Sequence, residues 1–181
     1  MRNEQLMAMV GLFWIVEGDV YVGAKPSGLA PGVRLSTEGV VALGDRQSGL
    51  YPWQDVHAVT VTGVPVKSLR RQAGVVKDLA VSTVMNLALP VFSGGSDESP
   101  ATMTVRVASP GGEHELTVYG AAAVGYSPAE VDLSHALLSR LTKGAATMAT
   151  TLAAMSQWGR AREGGTPRQA ERERLLREWV G

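Results

Sequence analysis

Hydrophobic and polar residues alternate over short stretches in the first part of the chain, and glycine-bearing turns separate these stretches. The runs 13–16 and 20–22 flank a Glu-Gly-Asp turn, and the runs 33–37 and 40–43 flank Glu-Gly. Such short runs, bounded by turn residues, are typical of strands joined as hairpins. The apolar run 6–16 is too short to cross a bilayer, and its part 11–16 predicts a core strand, not a segment of a signal peptide. An antiparallel meander is therefore expected.

Residues 51–61, Tyr-Pro-Trp-Gln-Asp-Val-His-Ala-Val-Thr-Val, combine two hydrophobic periods. Trp53, Val56 and Val59 are three residues apart, whereas Val59 and Val61 are two apart. Spacing of three followed by spacing of two predicts one helical turn that leads into a strand. Pro52 would fix the bend, and Trp53 and Val56 would fill the core.

A second strand region follows later in the chain. Apolar residues alternate with polar ones in 103–107 and 116–119, and Pro-Gly-Gly at 110–112 provides a turn. Together with the first region, this predicts about seven strands.

Between the two strand regions, residues 64–100 have a different composition. They begin with four cations and continue through an apolar stretch at 75–92. We predict an inserted helix at about 73–89, ended by Pro90. The four cations are Lys67, Arg70, Arg71 and Lys77.

The C-terminal third has helical patterns. Ser127 and Glu130 form a capping-box pair around Pro128, which predicts a helix that reaches Gly144. A second helix is predicted at 145–158 and a third after Thr166-Pro167.

The third predicted helix ends in an apolar patch that is too bulky to remain in water. It either folds back onto the sheets or contacts another subunit. The patch consists of Leu175, Leu176 and Trp179, followed by Val180.

Composition limits the possible chemistry. The 181 residues include no cysteine, which excludes a disulfide framework, a thiolate metal site and a cysteine nucleophile. Lys+Arg and Asp+Glu are equal at 17 each, so nucleic-acid binding is not expected. Abundant glycine, alanine and valine suggest a bacterial origin, and the cytoplasm is the expected location.

The histidines His57, His114 and His135 do not show the spacing of a metal site, so neither a metal nor a cofactor is expected. Asp55 and His57 are two residues apart and would share one side of a strand. They could form an acid–base dyad, but a polar edge is the favoured interpretation, so we expect no enzyme activity.

Two motifs resemble those of bacterial pleckstrin-homology-like (PH-like) domains. Tyr51-Pro52-Trp53-Gln54-Asp55-Val56 resembles their aromatic-Pro-Trp-acidic-aliphatic motif, and 36–39 is similar to the hairpin that often precedes it. The resemblance covers about residues 10–142. It implies an α+β, mainly β fold: a PH-like antiparallel barrel with a C-terminal helix, here followed by additional helices.

The expected organisation is a barrel at 1–143, including an insertion at about 64–100, and a helical extension at 144–181. The resemblance implies a non-catalytic scaffold for protein partners, while phosphoinositide binding is not implied because the first hairpin carries Glu17 and Asp19.

Two functional hypotheses follow, with an enzyme of unknown class as a third. The first is protein–protein assembly, with a partner or homo-oligomer bound through the insertion and the tail. The second is peripheral binding to anionic membranes through the basic-apolar insertion. The candidate binding residues are Lys67, Arg70, Arg71, Lys77, Leu175, Leu176 and Trp179.

Overall fold

The computed structural model describes residues 7–66, 101–122, 125–162 and 164–181. In these ranges the chain is an α+β protein with nine strands in two antiparallel sheets, followed by three α-helices. The predicted insertion helix at 73–89 lies outside the described residues.

The first sheet contains six consecutive strands in the order of the sequence, each paired antiparallel with the next. The strands are β1 Met7–Val10, β2 Phe13–Val16, β3 Asp19–Val22, β4 Gly32–Leu35, β5 Gly39–Leu43 and β6 Gly49–Pro52. The predicted meander is confirmed, and β1 and β6 are strands that sequence patterns did not reveal. The first predicted turn is centred on Glu17 and Gly18, whose φ angles of 50° and 95° have the positive sign of a type I′ turn.

The predicted helical turn is also confirmed. A 3-10 turn spans Trp53–Asp55, and β7 follows at Ala58–Thr62. Trp53 is buried, and its indole Nε1 donates to the carbonyl oxygen of Ser36 at 2.6 Å. This hydrogen bond fixes the tryptophan beneath the β4–β5 hairpin.

The second sheet has three strands in the order β7-β8-β9, with β8 at Thr102–Ser109 and β9 at Gly112–Tyr119. The prediction of one barrel was wrong, because no strand ladder joins the two sheets within the ranges that the structure describes. Hydrogen bonds link the two sheets instead. One runs from Ala24 N to Tyr119 O at 2.7 Å, and others are made by the Gln47 side-chain amide. That amide pairs with both backbone groups of Thr117, at 2.9 and 2.8 Å.

The C-terminal helices are α1 Pro128–Leu141, α2 Ala145–Ala161 and α3 Gln169–Val180. The capping box begins α1 as predicted: Ser127 Oγ accepts from Glu130 N at 3.2 Å. Pro128 occupies the start of the helix, where its missing N–H would have no intrahelical partner.

One hydrophobic core contains side chains from both sheets and all three helices. Phe13 and Ile15 of β2, Met155 of α2 and Leu176 of α3 are all fully buried in it. The helices after residue 144 therefore pack into the same core as the strands.

Candidate functional site

The predicted binding residues fall into two groups. Lys67, Arg70, Arg71 and Lys77 lie outside the described residues. Leu175, Leu176 and Trp179 lie in the core, where the ring of Trp179 meets that of Trp158 edge-on at a centroid distance of 5.8 Å. The tail has folded back, so these three side chains are covered by their own chain and do not form a surface patch.

The structure places Asp55 and His57 at the surface. Both are exposed, Asp55 in the 3-10 turn and His57 just before β7. The backbone N–H of His57 donates to Ala108 O at 2.8 Å, which attaches this segment to β8. Across the described ranges, no cluster of His, Asp or Glu side chains is suited to holding a metal ion.

The strand pairing reveals a different candidate surface. Residues directly opposite each other in an antiparallel pair project to the same side of a sheet. The pairs Met9–Trp14, Trp14–Tyr21, Tyr21–Arg34, Arg34–Val41 and Val41–Leu50 therefore form one continuous row across β1 to β6.

We call this side of the first sheet the outer face. Next to the row it carries Val16, Asp19 and Leu43, which are paired with Met7, Val16 and Gly32 respectively. Its apolar row side chains are Met9, Trp14, Tyr21, Val41 and Leu50.

The helices pack against the opposite side of this sheet, the inner face. Gly159 of α2 lies against Ile15 so closely that a side chain at position 159 would clash. In α1, the hydroxyl of Ser134 accepts from Leu12 N at 3.0 Å, at the β1–β2 turn. These contacts place α1 and α2 on the inner side.

Most apolar side chains of the outer face lie outside the hydrophobic core, although Met9 packs against it. Val16 and Tyr21 are nearly inaccessible at 4% and 7% exposure, and Trp14 and Val41 are half-buried. Leu50, on the edge strand β6, is 46% exposed. The outer face is thus a second apolar surface that the core does not include.

Two polar features distinguish this surface from a simple apolar patch. The buried indole nitrogen of Trp14 has no hydrogen-bond acceptor among the residues that the structure describes. In addition, Asp19 and Arg34 flank Tyr21, yet no ion pair joins them in the described part of the chain.

The pKa of the Tyr21 hydroxyl reflects this environment. Burial raises the pKa above its ordinary value of 10.0, and the nearby Asp19 carboxylate raises it further. The Arg34 guanidinium opposes both effects through its charge and a hydrogen bond, without reversing them. Tyr21 therefore remains protonated and neutral at physiological pH.

The sequence contains a signal that the first sheet has a second apolar face. That signal does not show which residues share this face. Phe13-Trp14-Ile15-Val16 is apolar at every position, and 40–43 is too. Continuous apolar strands are typical of sheets that are covered on both sides. Only the register across the six strands shows that Trp14 and Val41 share one row.

A shallow groove of about 500 Å³ lies between α2 and α3 and includes Trp158, Trp179 and Arg140 in its lining. Arg140 donates from Nη1 to Val180 O at 2.9 Å and from Nε to the Thr151 hydroxyl at 3.3 Å. Its guanidinium thus joins the three helices to one another, and we assign it a structural role.

The most buried charges also have a structural role. Glu130 of α1 is fully buried and accepts from Arg172 of α3 in a bidentate pair, with Nη2 to Oε2 at 3.2 Å. Burial would raise the pKa of Glu130, but the hydrogen bonds from Arg172 and Ser127 outweigh it and lower the pKa below its ordinary value. The ion pair holds α3 against α1.

Comparison with known proteins gave no relative: no family model, curated protein or solved structure matches this chain. No described helix combines the length and apolar character needed to span a bilayer.

Proposed function

We propose that this protein is a non-catalytic binding module that assembles with a protein partner through the outer face of its first sheet. The observation that carries the proposal is the row of Met9, Trp14, Tyr21, Val41 and Leu50, which together with Arg34 of β4 crosses all six strands. Sheet faces with this composition are normally covered by a second layer of structure.

The residue types on the outer face support a protein partner. Tryptophan, tyrosine, methionine and arginine are enriched at the centres of protein–protein interfaces, and Trp, Tyr and Arg dominate their binding energy. Trp14, Tyr21, Met9 and Arg34 supply all four types in one row.

We assign the module to the PH-like class as part of the same proposal. Two antiparallel sheets followed by a helix, together with the buried Trp53 after Pro52, support this assignment. The six-stranded first sheet and the helices α2 and α3 depart from the compact family pattern.

Site-specific photo-cross-linking in the native cell tests the proposal. A photoreactive phenylalanine derivative replaces Leu50 on the outer face or, in the control, Thr60, an exposed residue of β7 in the second sheet. We expect a defined protein adduct at position 50 that is absent at position 60. The additional substitution Val41→Lys should abolish the adduct.

Intact mass spectrometry identifies the adduct, and circular dichroism checks that the variants are folded. No adduct at position 50, or equal labelling at both positions, would contradict a docking role for the outer face.

A further inference from the structure

We propose that residues 164–181 act as one unit, the guard, which covers the side of β1 that faces away from β2 and prevents two copies of the chain from pairing through it. We call this side of β1 the β1 edge. The inference concerns a different surface from the outer face and does not depend on the proposed function.

A side chain of the guard occupies the place of a neighbouring strand at the β1 edge. In the described ranges, β1 pairs with β2 alone, and Met9 lies opposite Trp14. The backbone N–H of Met9 donates to Thr166 Oγ1 at 3.0 Å, so this N–H points away from β2. The Thr166 hydroxyl thus takes the position that the carbonyl group of a further strand would take.

The helix α3 extends this cover to the end of β1 and is fixed there. Leu176 is fully buried and lies so close to Gly11, in the β1–β2 turn, that a Cβ atom at position 11 would be 2.9 Å from Leu176 Cδ1. Arg172 binds Glu130 of α1 and also donates from Nη1 to Pro167 O at 2.7 Å. One guanidinium therefore holds both the start of the guard and its helix against α1.

The sequence of β1 explains why its edge needs a guard. A strand at the end of a sheet can pair with another chain, and natural proteins prevent this with charged residues, proline, a bulge, or a covering helix or loop. The four residues of β1, Met-Ala-Met-Val, include neither a charge nor a proline, and their register with β2 has no bulge. Cover is thus the protection that remains for β1, whereas β6 at the other end of the sheet contains Pro52.

Loosening the guard tests its role. Glu130→Gln leaves Arg172 without its charge partner and should raise the opened fraction of α3 about a hundredfold or more. We expect this variant to self-associate beyond the unmodified protein in sedimentation velocity on the purified full chain. Adding Met9→Pro should remove that association, because proline has no N–H with which to pair through the β1 edge. Leu50→Pro, on the opposite end strand β6, is the matched control and should leave it unchanged.

Native-state hydrogen exchange on the full chain tests whether the guard opens as one unit. Thr166→Ala removes the acceptor of the Met9 N–H, so the amides of both Met9 and Leu176 should exchange about fivefold faster. Thr166→Ser keeps a hydroxyl and should restore both rates. Circular dichroism checks that every variant is folded.

Three results would overturn the proposal. They are a folded Glu130→Gln variant that associates no more than the unmodified protein, an association that Leu50→Pro removes as effectively as Met9→Pro, and a Thr166→Ala variant in which Met9 exchanges faster but Leu176 does not. If Glu130→Gln does not fold, the exchange rates in Thr166→Ala decide the question.

Discussion

The two faces of the six-stranded sheet are similarly apolar but have different surroundings. On the inner face, Val10, Phe13, Val22 and Val33 are completely buried beneath the rest of the core. On the outer face, Trp14 follows Phe13 directly on strand β2 but lies outside that core. An apolar composition thus shows that a sheet face needs to be covered by other apolar groups. Only the packing shows whether the hydrophobic core covers that face.

The largest expected effect comes from loosening the cover of the inner face. Glu130→Gln leaves Arg172 buried without a charge partner, and losing one member of a buried ion pair destabilises a protein by about 3–5 kcal/mol. Denaturant unfolding measures the loss. Glu178→Gln is the control, because its pair with Arg174 is exposed and contributes about 0.5 kcal/mol or less. Equal losses in both variants would contradict the role given to the buried pair.

The same ion pair makes stability depend on pH. The pKa of Glu130 is lower in the folded chain than its ordinary value of 4.5, so its contribution is complete above pH 4.5 and is lost as the pH falls through the lower, folded-state pKa. We expect the free energy of unfolding to decrease in this acidic range. The decrease should be smaller in Glu130→Gln, and an unchanged slope in this variant would show that other carboxylates dominate.

A matched pair of substitutions on one strand compares the two faces directly. Val40 is fully buried on the inner face, whereas its neighbour Val41 is half-buried on the outer face. Replacing Val40 by threonine buries an unpaired hydroxyl and should destabilise the chain by about 1–3 kcal/mol. Val41→Thr should change stability by about 0.5 kcal/mol or less when measured at low protein concentration.

Val41→Thr should instead weaken partner binding, measured as the yield of the photo-cross-link at position 50. If Val41→Thr proves as destabilising as Val40→Thr at low concentration, the outer face is as fully covered as the inner one, and the contrast between them is lost.

The smallest expected effect compares two tryptophans. Trp53→Phe removes the hydrogen bond from Nε1 to Ser36 O and should destabilise the chain by about 0.5–1.5 kcal/mol beyond the change in packing. Trp14→Phe removes an N–H that has no acceptor among the described residues, so its effect on the isolated chain beyond the change in packing should be close to zero. The two free energies of unfolding check this difference, and a larger loss at Trp14 would contradict it.

Local features of the fold could be predicted from the sequence. The hairpin turn at Gly18, the 3-10 turn at Trp53 and the capping box at Ser127 each depend on residues only a few positions apart. Their signals are therefore contained in short stretches of the chain.

The long-range features could not be predicted in this way. The ion pair between Glu130 and Arg172 joins residues 42 positions apart, and nothing near either residue indicates its partner. The apolar tail at Leu176 and Trp179 suits a partner as well as its own sheet, so only the packing distinguishes these outcomes. The outer face was missed for the same reason, since it depends on the register of six strands.

Photo-cross-linking at position 50 in the native cell tests the central claim most directly. A defined protein adduct at Leu50 that is absent at the exposed Thr60 of β7 is the result expected if the outer face is a docking surface. No adduct at position 50, or equal labelling at both positions, would contradict the assignment of the outer face as a binding surface.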